Sequence, residues 1–200
     1  MIGAVLLAGG ASTRFGSDKL LINLPDGRSL AEAAWAAVAP HVGIVAAVVA
    51  PGQHARSALF RKLRAAVVEC PLASLGMGHS LAAGVAALAA CRAYVIALAD
   101  MPWMQSATIA QVVNTFLENP NTLVVAPRWC GRVGHPVLFS AQLRSQLLDI
   151  QGDRGARAIM ERHAGAIRYC DVDDIGVVRD VDRPSDLTLQ PVLEPMISPA

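Results

Sequence analysis

Residues 2–8, IGAVLLA, form an uninterrupted apolar run that ends directly before Gly9 and Gly10. A strand that is apolar on both faces is typical of a parallel sheet covered by helices on each side. Four more apolar runs follow, and they alternate with four helical patterns. The runs are 42–50, 65–69, 93–99 and 122–126, and the helical patterns are 29–39, 56–64, 78–91 and 106–118. This alternation predicts an α/β fold with a doubly wound, mostly parallel sheet.

The second half of the chain is less regular. We predict strands at 137–139, 166–172 and 175–180, helices at 141–148 and 154–163, and a last helix from about Pro184. Prolines at 191, 195 and 199 indicate a frayed tail over residues 191–200. Because no linker or internal repeat divides the rest, residues 1–190 are predicted to form a single domain.

Composition excludes several classes of protein. The chain is 54% hydrophobic and 16% charged, which argues against intrinsic disorder, and its net charge of +1 gives no basic excess for a nucleic-acid polymer. Arg92 and Asp100 interrupt the most apolar stretch, residues 81–104, so we predict a helix and a buried strand there and not a membrane span. Residues 1–12 lack the basic start of a secretion signal. The four cysteines form no C-x-x-C pair, which favours free thiols and a cytoplasmic location.

The loop after the first predicted strand carries the strongest chemical signal, LAGGASTRFGSDKLL at residues 7–21. Open α/β sheets bind ligands at the carboxyl ends of their strands. Gly9 and Gly10 let backbone N–H groups approach an anion, and Arg14 and Lys19 add two cations suited to a triphosphate. The spacing fits neither the Walker A motif nor G-x-G-x-x-G. From the residues alone, an ordinary loop with two surface cations remains the alternative.

A second signal is Asp100, which directly follows the apolar run AYVIALA. A carboxylate at that position lies at the same sheet edge as the glycine loop. Mg²⁺ is usually held by one or two carboxylates together with phosphates and water, so Asp100 is a candidate metal ligand. The alternative role is to cap the helix that follows.

Three further stretches bring polar groups or glycines to loops. GMGHSLAAG at 76–84 opens an alanine-rich helix, whose free N–H groups can meet an anion or a nucleobase edge. The alternative is that its glycines only allow tight packing. His79 in this stretch has no evident task. His135 lies in GRVGHPVLF at 131–139, where a satisfied structural histidine is the alternative. GDRGAR at 152–157 supplies two arginines that are otherwise surface charges.

These motifs occur together in one known family. The loop at 7–19 resembles the signature loop of the nucleotidyltransferases that make molybdenum-cofactor dinucleotides. LADMP at 98–102, GHPVLF at 134–139 and GDRGAR resemble its cytidylyltransferase branch, whereas LAGG at 7–10 is the form of its guanylyltransferase branch. The resemblance extends from Ile2 to about Leu189. It implies a Rossmann-like nucleotidyltransferase fold and identifies the chain as molybdenum cofactor cytidylyltransferase-like.

The resemblance also implies roles for individual residues. Arg14, Lys19 and Asp100 are expected to be catalytic, the first two on the leaving pyrophosphate and the α-phosphate. His135, with Arg154 or Arg157, is expected to meet the pterin substrate. The expected nucleotide-binding residues are Leu7, Ala8, Gly9, Gly10, Ala11, Arg14, Lys19, Gly78 and Ser80.

The metal is expected on Asp100, with a second carboxylate in RDVDRPSDL at 179–187, a stretch that resembles the ending of many nucleotidyltransferases. Asp180, at the end of the predicted strand 175–180, is the candidate for this second ligand. Asp182 is expected instead to help start the final helix, with Pro184 in its first turn.

The expected reaction is a Mg²⁺-dependent transfer of CMP from CTP to the phosphate of molybdopterin, which gives molybdopterin cytosine dinucleotide and pyrophosphate. The attacking phosphate is already an anion, so no general base is needed. Three alternatives remain open: GTP as the nucleotide, a sugar phosphate or other small phosphorylated metabolite as the acceptor, and a non-catalytic module that delivers the cofactor. A molybdoenzyme client is a further candidate partner, and no membrane is expected to be one.

Overall fold

A computed structural model of the protein describes residues 1–10, 15–152 and 155–188. The predicted alternation of strands and helices is confirmed over the first half of the chain. The strands are β1 (Ile2–Leu7), β2 (Ile44–Val49), β3 (Ala66–Glu69), β4 (Ala93–Leu98), β5 (Val124–Trp129), β6 (Arg132–Val133), β7 (Val137–Ser140) and β8 (Ile167–Asp171). The α-helices are α1 (Leu30–Val38), α2 (His54–Lys62), α3 (Met77–Ala87), α4 (Ser106–Glu118), α5 (Arg144–Leu148) and α6 (Arg157–Arg162).

The eight strands in the described part of the chain form one mixed sheet. Its order is β3-β2-β1-β4-β7-β5-β6, and β8 pairs with β5. Strands β3, β2, β1 and β4 are parallel, and β8 is parallel to β5. Strand β7 is antiparallel to both β4 and β5, and β6 forms a short hairpin with β5. The α/β, mostly parallel sheet is therefore confirmed, although β7 lies between β4 and β5 and interrupts the parallel order.

The core lies on both faces of this sheet, which explains why the central strands are apolar throughout. In β1, Ala4 and Leu6 belong to one buried cluster, and Val5 and Leu7 belong to the other. Helices α1, α2 and α4 cover the first face, and α3, α5 and α6 cover the second. Burial of a Leu or Val side chain contributes roughly 1.5–3 kcal/mol, so these two clusters fix the sheet firmly.

Two adjacent strands bring the glycine loop and the acidic group to one edge. Strand β1 pairs with β4 in register through Leu7 and Leu98. The hydrogen-bond ladders continue past the ends of both strands. The Ala99 N–H donates to the Leu7 carbonyl at 3.0 Å, and the Ala8 N–H donates to the carbonyl of Val48 in β2 at 2.8 Å. Gly9 and Asp100 therefore leave the sheet side by side.

The predicted strand at 175–180 is wrong. Residues Ile175–Val178 form a 3₁₀ helix, since the Asp174 carboxylate accepts from the Gly176 N–H at 2.9 Å and turns the chain at that point. An apolar run of four residues does not by itself distinguish a strand from such a turn. The helix predicted from about Pro184 is a short 3₁₀ helix, Pro184–Thr188. The predicted tail at 191–200 lies outside the described residues.

Among the described residues, every helix is too short or too polar to cross a bilayer. The stretch at 81–104, whose hydropathy raised that question, contains most of α3 followed by β4. All four cysteines are free thiols.

Candidate functional site

Lys19 occupies the centre of the candidate site. It opens a 3₁₀ turn, Lys19–Leu21, which the Asp18 carboxylate caps by accepting from the Leu20 N–H. The Lys19 ammonium contacts Asp100 Oδ2 at 2.9 Å and Asp182 Oδ1 at 3.1 Å. It also donates to the Val181 carbonyl at 2.7 Å. The cation predicted in the glycine loop and the carboxylate predicted after β4 are thus in direct contact.

Three carboxylates meet around this ammonium. Ligand oxygens from Asp100, Asp180 and Asp182 all lie within 4.8 Å of one another. Hard oxygen donors at such a spacing are the ligand type that Mg²⁺ and Mn²⁺ prefer. The donor set therefore fits a divalent cation held between the end of β4 and the segment after β8.

The charged groups of this cluster shift one another's pKa values. Burial opposes the Lys19 charge, but the hydrogen bonds and charges of Asp100 and Asp182 outweigh it and raise the pKa of Lys19 above its usual value. Desolvation raises the pKa of Asp180, and the like charges of Asp100 and Asp182 raise it further. A divalent cation would relieve this repulsion, because it stabilises the ionised form of each carboxylate.

Asp180 and Asp182 are carried by an irregular segment that follows β8. Asp174 anchors its start: this buried carboxylate accepts from the Gln105 N–H at 2.9 Å and the Thr108 hydroxyl at 2.7 Å, at the N-terminus of α4. Its far end is joined to β4, because the Val181 N–H donates to the Asp100 carbonyl at 2.9 Å.

Two glycines allow the close contacts of this segment. A Cβ at Gly176 would overlap the Trp103 carbonyl, and one at Gly134 would overlap the Val177 carbonyl. The GRVGHPVLF motif therefore helps to position the segment that carries Asp180 and Asp182. The His135 N–H adds a hydrogen bond of 2.7 Å to the Val177 carbonyl.

Asp182 contributes to the site with its side chain, which forms an ion pair with Lys19 at 3.1 Å. At the turn of Pro184, the Asp186 carboxylate accepts from the N–H groups of Asp182 at 2.9 Å and Arg183 at 2.8 Å. The expected role of Asp182 at the start of the final helix stays a prediction. Asp180 does lie in the acidic cluster, although it follows a 3₁₀ helix and not a strand.

The glycine loop and the start of α3 lie next to each other. A Cβ at Gly9 would lie 3.4 Å from both Ala73 Cβ and the Ser80 hydroxyl, and Ser80 itself is buried. Gly78 packs against the segment that carries GDRGAR: its N–H donates to the Gly152 carbonyl at 2.9 Å. The structure therefore brings three of the sequence motifs together around one end of the sheet.

His135 is half-buried and faces the acidic cluster. Desolvation lowers its pKa below the usual value, and the Ile96 carbonyl and the charges of Asp100 and Asp180 offset this only in part. Arg157 is placed differently. It begins α6 with a side chain that is 81% exposed and forms a surface ion pair with Glu161 at 3.2 Å.

Ala11, Arg14 and Arg154 lie outside the described residues. Sequence reasoning did not single out the ion pair between Arg56, which is buried, and Asp18, which is half-buried at the end of the glycine loop. Asp18 directly precedes Lys19, but nothing in the sequence distinguishes Arg56 from the surface cations of α2. Only the packing of α2 against the loop reveals it.

The sequence of the chain matches a known protein family. The chain matches the MobA-like NTP transferase domain family over residues 4–167. It belongs to that family. The match covers the glycine loop, Lys19 and Asp100, and it ends before Asp180 and Asp182. The comparison with curated proteins gave no match.

Solved structures agree with this assignment. The chain is 26% identical to Rv0371c from Mycobacterium tuberculosis H37Rv, with a TM-score of 0.76 over 93% of this chain and 95% of that one. A structure of Rv0371C in complex with manganese, from the same organism, gives 24% identity and a TM-score of 0.70 over 92% and 95%. Molybdopterin-guanine dinucleotide biosynthesis protein A from Archaeoglobus fulgidus is 20% identical, with a TM-score of 0.68 over 94% and 95%. At 24% and 20% identity, the last two similarities establish the fold alone.

Proposed function

We propose that the protein transfers CMP from CTP to the phosphate of molybdopterin in the cytoplasm. The observation that carries this proposal is the contact between Lys19 and Asp100, 2.9 Å apart at the sheet edge where Gly9 and Gly10 end the first strand. A phosphate-binding loop, a cation and a metal-binding carboxylate at one place are what nucleotidyl transfer requires. The MobA-like family supports the reaction class.

In the proposed reaction, an oxygen of the acceptor's phosphate attacks the α-phosphorus of the nucleotide. A new P–O bond forms, the bond between the α-phosphorus and its bridging oxygen breaks, and pyrophosphate leaves with that oxygen. Because the acceptor oxygen is already anionic, no proton has to be removed. The protein's task is to align the two phosphates and to neutralise charge on the leaving group.

The residues divide this task between them. Backbone N–H groups of Gly9 and Gly10 hold the phosphates, together with Arg14, and Lys19 meets the α-phosphate. Gly78 and Ser80 line the nucleotide side, and His135, Arg154 and Arg157 meet the acceptor. The ion pair of Arg157 with Glu161 is exposed, so exchanging it for a contact with the acceptor would cost little.

Asp100, Asp180 and Asp182 would hold Mg²⁺ in this proposal. When bound, the ion neutralises phosphate oxygens during transfer. The manganese bound in the related structure is consistent with such a cation. Lys19 forms ion pairs with Asp100 and Asp182, so one positive charge offsets part of the cluster's negative charge before any ion binds.

GTP is the second candidate nucleotide. It is favoured by the LAGG form of the loop at residues 7–10, which resembles that of the guanylyltransferase branch. One of the structurally similar proteins is named for molybdopterin-guanine dinucleotide biosynthesis.

The test is pyrophosphate release by purified protein with Mg²⁺, molybdenum cofactor and each of CTP, GTP, ATP and UTP. We expect release with CTP and a requirement for the cofactor. Faster release with GTP would assign the guanylyltransferase reaction. Release that depends on a sugar phosphate, from a parallel panel of acceptors, would identify a different acceptor. Binding of the cofactor without any release of pyrophosphate would contradict an enzymatic function and indicate a delivery module.

A further inference from the structure

Arg56 is a buried cation that no proposed catalytic step uses. It projects from α2 and is only 2% exposed. Its guanidinium forms an ion pair with Asp18, with contacts of 2.7 to 2.9 Å. The same group donates to the Ala8 carbonyl at 2.6 Å and the Gly10 carbonyl at 2.8 Å. A charge removed from water in this way is costly unless it is paired and fully hydrogen-bonded, so its partners are specific.

These partners lie at the two ends of the glycine loop. Ala8 and Gly10 begin the loop after β1, and Asp18 ends it immediately before Lys19. One side chain therefore spans the opening of the loop from behind. The planar guanidinium, with donors in a fixed fork, can hold a carboxylate and carbonyls simultaneously, which a lysine ammonium cannot do with the same geometry.

The contact with Ala8 also sets the direction of a backbone donor. In a trans peptide the carbonyl and the next N–H point in opposite directions. Because the Ala8 carbonyl is directed to Arg56, the Gly9 N–H is directed away from it. The guanidinium thus orients one of the two glycine donors from the far side of the peptide.

The contact with Asp18 sets the position of Lys19. The Asp18 carboxylate accepts from the Leu20 N–H at 3.2 Å and so caps the turn Lys19–Leu21. Arg56 fixes that carboxylate, and the turn in turn directs Lys19 to Asp100. Both ends of the loop are held by one buried group.

We propose that Arg56 and Asp18 form a clamp that positions the two ends of the glycine loop, residues 8–10 and 18–19, for the nucleotide's triphosphate. Arg56 is a positioning residue, since it acts from behind the loop through Asp18 and the backbone carbonyls. The proposal rests on the proposed function, in which this loop binds the nucleotide. It adds that the affinity for the nucleotide depends on Arg56 of α2, a residue that does not contact the nucleotide.

The test compares equilibrium binding of CTP and of GTP, each with Mg²⁺, to the wild-type protein and to Arg56→Met and Asp18→Asn. We expect the dissociation constant to rise about tenfold to hundredfold in Arg56→Met, as for loss of hydrogen bonds to a charged group. Asp18→Asn keeps an acceptor for the Leu20 N–H but loses the ion pair, so we expect a smaller rise. The KM of the acceptor should stay unchanged in both variants.

A conservative variant and a control pair separate positioning from general destabilisation. Arg56→Lys keeps the positive charge but loses the planar, forked set of donors. Compared with Arg56→Met, we expect it to recover more of the folding stability than of the nucleotide affinity. Arg128→Met and Asp171→Asn remove an ion pair at the far strands of the sheet and should leave nucleotide affinity unchanged. Thermal unfolding of each variant, without nucleotide, shows whether it is folded.

The outcomes distinguish the clamp from the proposed function. If the wild-type protein binds the nucleotide and folded Asp18→Asn and Arg56→Lys bind it with the same affinity, the clamp is overturned and the proposed function stands. If the wild-type protein binds neither nucleotide, both are overturned. Should Arg56→Met fail to fold, the comparison of Asp18→Asn with Asp171→Asn decides the matter.

Discussion

The two sides of the candidate site are held in different ways. Asp100 follows β4 by two residues, and the hydrogen-bond ladder to β1 continues to Ala99. Asp180 and Asp182 follow no strand. They are held by the Asp174 carboxylate, by close backbone contacts at Gly134 and Gly176, and by one hydrogen bond to the Asp100 carbonyl.

Because of this difference, substitutions affect the chemistry on one side and the position of the backbone on the other. On the β4 side, the surrounding core fixes the backbone, so a substitution of Asp100 removes a charge and its ion pair with Lys19 but does not displace the backbone. On the other side, a few polar and glycine contacts fix the backbone, so substitutions outside the acidic cluster can displace it. Substitutions on the two sides should therefore give different patterns of loss.

The largest effect is expected on the β4 side. Asp100→Ala should lower the rate of pyrophosphate release by about 10²–10³, as for the loss of one electrostatic group in a preorganised site. Its melting temperature should change little, because the side chain is not part of the core. Asp149→Ala, at an exposed position after α5, is the matched control and should be active. A folded Asp100→Ala protein with full activity would contradict the assignment of Asp100.

Lys19→Met should give opposite changes in rate and in metal affinity. The rate should fall because a cation on the phosphates is lost. Affinity for Mn²⁺ without nucleotide should rise by about tenfold, because an ammonium 2.9 Å from Asp100 no longer repels the ion. Calorimetric titration with Mn²⁺ measures this directly. Unchanged or weaker Mn²⁺ binding would show that Lys19 and the ion do not share the same carboxylates.

Asp174→Asn tests the support of the second side. We expect a fall of about 1–3 kcal/mol in the free energy of unfolding, since a buried acceptor of three hydrogen bonds is altered. Mn²⁺ affinity should fall as well, because Asp180 and Asp182 are displaced. Nucleotide affinity without metal should be unchanged. Urea unfolding and calorimetry together separate these effects, and unaltered Mn²⁺ binding in a destabilised protein would limit Asp174 to a structural role.

The sequence predicts the β4 side well because its elements are regular. Residues 2–8 and 93–99 are apolar on both faces and end at glycine or acidic residues, a pattern that is typical of central parallel strands. Once these strands are adjacent, the positions of Gly9 and Asp100 at one edge follow from the geometry of a parallel sheet. Lys19 could be assigned to the site from its place in the loop.

The other side could not be predicted in the same way. The run at 175–178 resembles a strand, and only the cap from Asp174 and the close approach of Gly176 to Trp103 make it a 3₁₀ helix. The cap from Asp174 is local, since its acceptor lies two residues before the Gly176 N–H, but the approach of Gly176 to Trp103 is a long-range contact that no local pattern encodes. The same is true of β7, which enters the sheet between β4 and β5, and of Arg56, whose burial depends on how α2 packs.

The smallest expected effect is a pH dependence that arises from His135. Desolvation holds its pKa below the usual value of 6.5, despite the carbonyl of Ile96 and the charges of Asp100 and Asp180. Below pH 6.5 the unfolded chain therefore binds a proton that the folded protein does not, so stability is lost as the pH falls towards the folded-state pKa. Linkage limits this slope to about 1.4 kcal/mol per pH unit.

Urea unfolding of the wild-type protein and His135→Asn, at pH about 7.5 and about 5.5, isolates this contribution. The asparagine amide can still donate to the Ile96 carbonyl but does not titrate. The difference in stability between the two proteins should shrink or reverse as the pH is lowered, because only the wild-type protein loses the His135 contribution. A difference that is independent of pH would show that His135 keeps an ordinary pKa, and that the acidic cluster offsets its desolvation completely.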